Sequence, residues 1–80
     1  MERCIGSHES VDWYQPGPTH FGRFQFSDAT WFWASRLHGH ASDYPPAVQS
    51  QAFLRLFNNG VGRHQWSTYS GCRAQYGGPA

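Results

Sequence analysis

The apolar material of this chain is mostly rings. Aromatic residues make up 18% of the sequence, as four Trp, four Tyr and six Phe, while Leu, Ile, Val and Met are scarce. A chain of 80 residues has room for one domain and buries only a modest share of its surface. Each buried ring removes a large area from water, so packed aromatics are the means by which such a sequence can close a core. Rings also suit a carbohydrate cleft, where sugars lie against flat apolar faces. The simpler reading assigns most of them to the core.

The charge pattern narrows the partners. The net charge is +1 with histidines neutral; Lys is absent, and the six cations are scattered Arg residues. A nucleic-acid binder would carry a basic patch or stripe, so no nucleic-acid partner is expected. No apolar run approaches a membrane span, and none of residues 1–30 reads as a secretory signal. The expectation is a mature or excised domain, or a protein exported by another route. The five histidines, His8, His20, His38, His40 and His64, raise the question of a metal. His38-Gly39-His40 is spaced too closely to share a helical face, and neither Cys-x-x-Cys nor His-Glu-x-x-His occurs. No metal and no cofactor are expected.

Cys4 and Cys72 lie near opposite ends. In a cytosolic protein they would be free thiols; in an extracellular one they would suit a staple around the whole fold. A bridge would be worth about 4 kcal/mol in the chain-entropy model. The residues by themselves leave both states open.

Local signals divide the chain as follows. Residues 2–9 can form a short helix ending near Glu9. Pro16, Gly17 and Pro18 break any regular element between Val11 and Thr19. Phe21 to Phe26 reads as one arm of a small hairpin, with Phe24 and Phe26 on one side and Arg23 and Gln25 on the other. Ser27 is an N-cap for a helix from Asp28 to about Leu37, stopped by Gly39. After a polar connector, Pro45 and Pro46 suit the first turn of a helix that runs from Ala47 to about Asn58. Its stripe is Val48, Ala52 and Leu56 with Phe53 and Phe57 beside it, and Asn59-Gly60 ends it. Gly62 to Cys72 is expected to be irregular, with a turn near Trp66. Residues 74–80 form a frayed tail, so the expected domain is 1–73.

Among the five carboxylates, Glu2, Glu9, Asp12, Asp28 and Asp43, Glu9 stands out. It ends one element and precedes an aromatic, Pro-rich loop. Packing beside Trp13 and Tyr14 would desolvate it, the setting in which a general acid keeps its proton. The plainer reading is a solvated Glu at a helix end.

The run Cys4-Ile5-Gly6-Ser7-His8-Glu9-Ser10 resembles the first motif of the transglycosylase-like family that includes the actinobacterial resuscitation-promoting factors. Phe21-Gly22-Arg23-Phe24-Gln25-Phe26-Ser27-Asp28-Ala29-Thr30-Trp31 is similar to its second motif. Ala41-Ser42-Asp43-Tyr44-Pro45-Pro46-Ala47-Val48-Gln49 resembles the entry to its last long helix, and Trp66 with Cys72 its closing Trp and Cys. The resemblance runs in order from Cys4 to Cys72. It implies an α+β, mainly α, compact lysozyme-like domain with three main helices, a minimal β-element and one disulfide, Cys4–Cys72. The implied activity is cleavage of the β-1,4-linked glycan of bacterial peptidoglycan, with Glu9 as the catalytic acid. Gln25, Thr30 and Trp31 match cleft positions. Trp13 and Tyr14 would line the loop wall. Two departures stand out: Val11, Asp12 and Trp13 replace glycines usual after Glu-Ser, and Arg23 replaces a small residue. Arg23 would meet a lactyl or stem-peptide carboxylate, or simply be solvated.

No second carboxylate is well placed opposite Glu9 for paired-acid hydrolysis. That favours a lytic transglycosylase, giving a 1,6-anhydro product, over a muramidase. The expected protein is a monomer acting on peptidoglycan strands, outside the cell, in the wall or on a phage particle. The alternative is a non-catalytic wall-binding or structural module.

Overall fold

The computed structural model describes residues 1–79, and among them four α-helices surround a two-stranded sheet. Helix α1 spans Glu2–Glu9 and buries Cys4, Ile5 and Gly6. Its end is followed by a turn made by side chains: Ser10 Oγ accepts the Asp12 N–H at 3.1 Å, and Asp12 Oδ1 accepts the Tyr14 N–H at 2.9 Å. These short polar residues fold the chain locally without glycine. Asp12, with Val11 and Trp13, stands where the resemblance would have put glycines.

Strands β1 (His20–Phe21) and β2 (Phe26–Ser27) pair antiparallel, with Phe21 opposite Phe26. Residues 22–25 form the turn between them, so the hairpin arm expected over Phe21–Phe26 is mostly turn. Gly22 at φ 78° and Gln25 at φ 53° make the reversal. Phe24 and Phe26 are buried while Arg23 and Gln25 are half-buried. The expected division of side chains appears, but the turn produces it rather than strand alternation.

Helix α2 spans Asp28–Ser35, and the Ser27 hydroxyl accepts the Thr30 N–H at 3.2 Å as the expected N-cap. It stops two residues short of Leu37 because Arg36 already takes the left-handed conformation, at φ 64°, three residues before Gly39. A 3-10 turn at Ala41–Asp43 leads to α3, Pro46–Phe57, with Pro45 at the cap and Pro46 in the first turn. Gln49, Ala52, Phe53 and Leu56 are the buried stripe of α3. Val48 and Phe57, expected on or beside that stripe, are half-buried at its edges.

The stretch from Gly62 to Cys72 departs from expectation. After two 3-10 turns, Asn58–Gly60 and Arg63–Gln65, a fourth helix, α4, spans Tyr69–Tyr76 and buries Tyr69 and Cys72. Residues 74–76, expected in a frayed tail, belong to it. The last described residues fold back: Tyr69 Oη donates to the Pro79 carbonyl at 2.6 Å and Arg73 Nε to that of Gly78 at 3.1 Å. Ser70 and Gly71 are poor helix formers, and packing outweighs that propensity here.

Rings do hold the centre. Phe24 stacks on Phe53 at 4.5 Å, Phe53 lies 4.7 Å from Trp66, and Phe26 lies 5.3 Å from Trp31. Trp66 Nε1 donates to the Phe24 carbonyl at 2.9 Å, tying the closing segment to the hairpin. Cys4 and Cys72 form a disulfide with a Cα–Cα distance of 5.9 Å. No helix among the described residues is long and apolar enough to cross a membrane.

One polar residue organises this core. Gln49 is fully buried. Its Nε2 donates to the carbonyls of Trp13 at 2.7 Å and Tyr44 at 2.8 Å, and its Oε1 accepts the Arg23 N–H at 3.2 Å. One amide therefore joins the loop after α1, the connector before α3 and the hairpin turn. A Cβ at Gly22 would sit 2.5 Å from that Oε1, so glycine is required there both by contact and by its positive φ. Gln49→Leu should lower the unfolding free energy by about 2–3 kcal/mol, since it strands buried polar groups. Chemical denaturation checks this, and an unchanged midpoint would discard the role.

A second tie responds to pH. His40 Nδ1 lies 2.8 Å from Asp28 Oδ1, and its ring stacks on Phe21 at 3.9 Å. The hydrogen bond that His40 gives to Asp28 raises the His40 pKa above its ordinary 6.5; burial opposes this, and the charges of Asp28 and Asp43 add to it. A raised folded-state pKa stabilises the fold fully below the unfolded value. That contribution is lost as pH rises through the folded value. The melting temperature of the wild type should therefore exceed that of Asp28→Asn by most between the carboxylate range and pH 6.5. The gap should narrow at alkaline pH, and a gap that widened there would contradict the assignment.

Candidate functional site

Glu9 closes α1, and its side chain is half-buried. Oε2 accepts the hydroxyl of Thr68 at 2.9 Å. Thr68 occupies the N-cap position of α4 but makes no capping bond there; its hydroxyl is given to Glu9 instead. The Cys4–Cys72 bridge ties the same two helices together. From Cys4 to Glu9 the chain ascends α1, while from Cys72 to Thr68 it goes back along α4. The helices run antiparallel, with a covalent tie at one level and a hydrogen bond at the other. The second carboxylate oxygen, Oε1, has no protein partner among the described residues.

The other four carboxylates are engaged elsewhere. Glu2 Oε2 accepts the Ser50 hydroxyl. Asp12 Oδ1 accepts the Tyr14 N–H, Asp28 Oδ1 meets His40, and Asp43 Oδ2 accepts the His40 N–H at 3.3 Å.

The residues expected to share one cleft fall into separate places. Gln25 and Thr30 come together in a recess of about 90 Å³, walled also by Trp66 and Gln65. Gln25 Nε2 donates to the carbonyl of Gly22 at 2.8 Å, which fixes its amide. Trp13 and Arg23 line a different pocket, of about 590 Å³, with Glu2, Arg3 and Ser50. There the Arg23 guanidinium lies 5.1 Å from the Trp13 ring centre. Arg23 also lies across α1 at Gly6, where a Cβ would come within 2.3 Å of its Nε. Glu9 lines neither pocket.

Two expectations are corrected. Trp31 does not face a cleft. It is fully buried against Phe26 and Tyr44, and its Nε1 has no hydrogen-bond partner. The aromatic loop does not pack as a wall over Glu9 either. Trp13 turns edge-on to Phe24 at 5.7 Å, held by Arg23, and Tyr14 is 55% exposed. The bulk that was expected to desolvate the acid is used against the hairpin.

His8, one turn beyond Cys4, brings a ring nitrogen within 4.8 Å of both cysteine sulfurs. With the sulfurs bonded to each other, no thiolate is present to ligate a cation.

Gln49 and Thr68 carry structural parts that sequence reasoning did not assign. Gln49 closes the motif leading into α3, and its interior position on the α3 stripe was the available signal. Nothing local marked Thr68, since its partner lies 59 residues away. Comparison with family models, with curated proteins and with solved structures gives no match.

Proposed function

We propose that this protein cleaves the β-1,4 glycan of bacterial peptidoglycan, with Glu9 as general acid and then general base. The observation that supports this best is how Glu9 is held: at the half-exposed end of α1, Thr68 fixes one carboxylate oxygen and the other has no protein partner among the described residues. The order of the Cys4–Ser10, Phe21–Trp31, Ala41–Gln49 and Trp66–Cys72 motifs supports it from the sequence side.

In the first step protonated Glu9 gives its proton to the glycosidic oxygen as the C–O bond breaks. Without a partner carboxylate, the acetamido group of the muramic sugar stabilises the cation. The sugar's own O6 hydroxyl then attacks the anomeric carbon, and Glu9 takes up the hydroxyl proton. The product is a 1,6-anhydro sugar. Thr68 holds the carboxylate in orientation through both steps.

A second reading is a non-catalytic wall-binding module. It is favoured by the fact that the pocket holding Gln25 and Thr30 contains no carboxylate. Incubation with purified cell walls separates the two. An enzyme releases soluble fragments and clears the suspension, whereas a binder sediments with walls that stay intact.

A further inference from the structure

We propose that a trough running from Trp33 to Gln25 binds an uncharged β-linked glycan chain, with the indole of Trp33 as its stacking platform. This rests on the glycan reading above and adds a residue that the sequence motifs did not single out. Trp33 follows Trp31 by two positions on α2 and therefore faces away from the core. Trp31 is fully buried, whereas Trp33 is 61% exposed. A lone exposed ring is ordinary surface; what sets Trp33 apart is the space beside it.

The space beside the indole is shaped. A groove of about 260 Å³ is walled by Trp33, Ala29, Thr30, Leu56 and Gln65. Thr30, Leu56 and Gln65 also wall the recess that holds Gln25 and Trp66. The two spaces are neighbours that share three walls, and together they form the proposed trough. Helix α2 supplies one side through Thr30 and Trp33, a turn apart. Leu56 of α3 and Gln65 of the 3-10 turn Arg63–Gln65 supply the other.

The chemistry of the lining selects the ligand. No Asp, Glu, Lys or Arg borders either part, and His20 is its one titratable side chain. An anionic or cationic ligand would find no counter-charge. The side chains of Thr30 and Gln65, and Oε1 of Gln25, have no protein hydrogen-bond partner among the described residues. A pyranose offers the complement: an apolar face for the indole and hydroxyls for the amides.

The test uses the full chain and chitotetraose, the uncharged β-1,4 tetramer of N-acetylglucosamine, titrated by calorimetry. The wild type should bind. Trp33→Ala should weaken binding about tenfold or more without moving the melting temperature, because the side chain stands in solvent. Trp33→Phe, which restores a ring, should recover most of the affinity. Leu54→Ala, equally exposed on α3 but outside the trough, should bind as the wild type does. No binding by the wild type, or equal binding by Trp33→Ala, overturns the proposal. So does a dimer that Trp33→Ala dissociates while saccharide affinity stays constant, which would make the face a contact between copies. Wall cleavage measured on the same proteins keeps the two readings apart. Trp33-dependent binding without cleavage removes the Glu9 mechanism and leaves the trough. Cleavage unaffected by Trp33→Ala, with unaltered binding, removes the trough and leaves Glu9.

Discussion

Glu9→Gln is expected to slow wall cleavage by about 100- to 10,000-fold, the range a positioned general acid contributes, while leaving the melting temperature in place. Glutamine preserves the length and shape of the side chain. Its carbonyl oxygen can still accept the Thr68 hydroxyl that Glu9 Oε2 accepts. What it cannot do is give a proton to the leaving oxygen. Glu9 is half-buried and lies at a helix end, so the exchange strands no charge in the core. Activity and stability should therefore separate cleanly. A variant that clears walls at the wild-type rate would remove Glu9 from the mechanism, and one that fails to fold would show a structural role instead.

Removing the disulfide should have the largest effect on stability. The bridge joins Cys4 to Cys72 across 68 residues, and closing a loop of that length is worth about 4 kcal/mol in the chain-entropy model. For a domain of this size that corresponds to roughly 15–30 °C in melting temperature. Cys4→Ala with Cys72→Ala should show such a loss, and reductant should reproduce it in the wild type. The loss should fall first on α4, whose other cross-ties to the rest of the fold are Tyr69 among the rings and Thr68 on Glu9. Thiol titration of the folded wild type should find no reactive cysteine. Two titratable thiols, or a melting temperature indifferent to reductant, would contradict this.

How much could be read from the sequence differs by element. The Ser27 cap and the Pro45-Pro46 start of α3 were legible because both act through the residues' own backbone chemistry. The burial of Phe24 and Phe26 was legible as alternation, though only Phe26 lies in a strand and Phe24 is buried from the four-residue turn. The end of α2 was not legible, since Arg36 in the left-handed region has no local signature as Gly39 does. Helix α4 was missed for a related reason. Its helicity depends on Cys72, Tyr69 and the returning Gly78 and Pro79 carbonyls, all tertiary partners. The candidate site was legible as a set of residue types and not as an arrangement. Trp13 was expected beside the acid, yet its ring meets Arg23, the residue that departs from the resembled motif, and turns edge-on to Phe24. Trp31 was expected at the cleft, but its position on the helix turns it inward while Trp33 faces out.

Glu9 is proposed to break glycan bonds in the bacterial wall. Mass spectrometry of purified peptidoglycan digested with the wild type, beside the same digest with Glu9→Gln, tests it most directly. The wild type should release soluble muropeptides ending in 1,6-anhydro-muramic acid, and Glu9→Gln should release almost none. Ordinary reducing ends would replace the anhydro route by hydrolysis while retaining the acid. Walls that stay insoluble with the wild type, or equal release by both proteins, would contradict the claim.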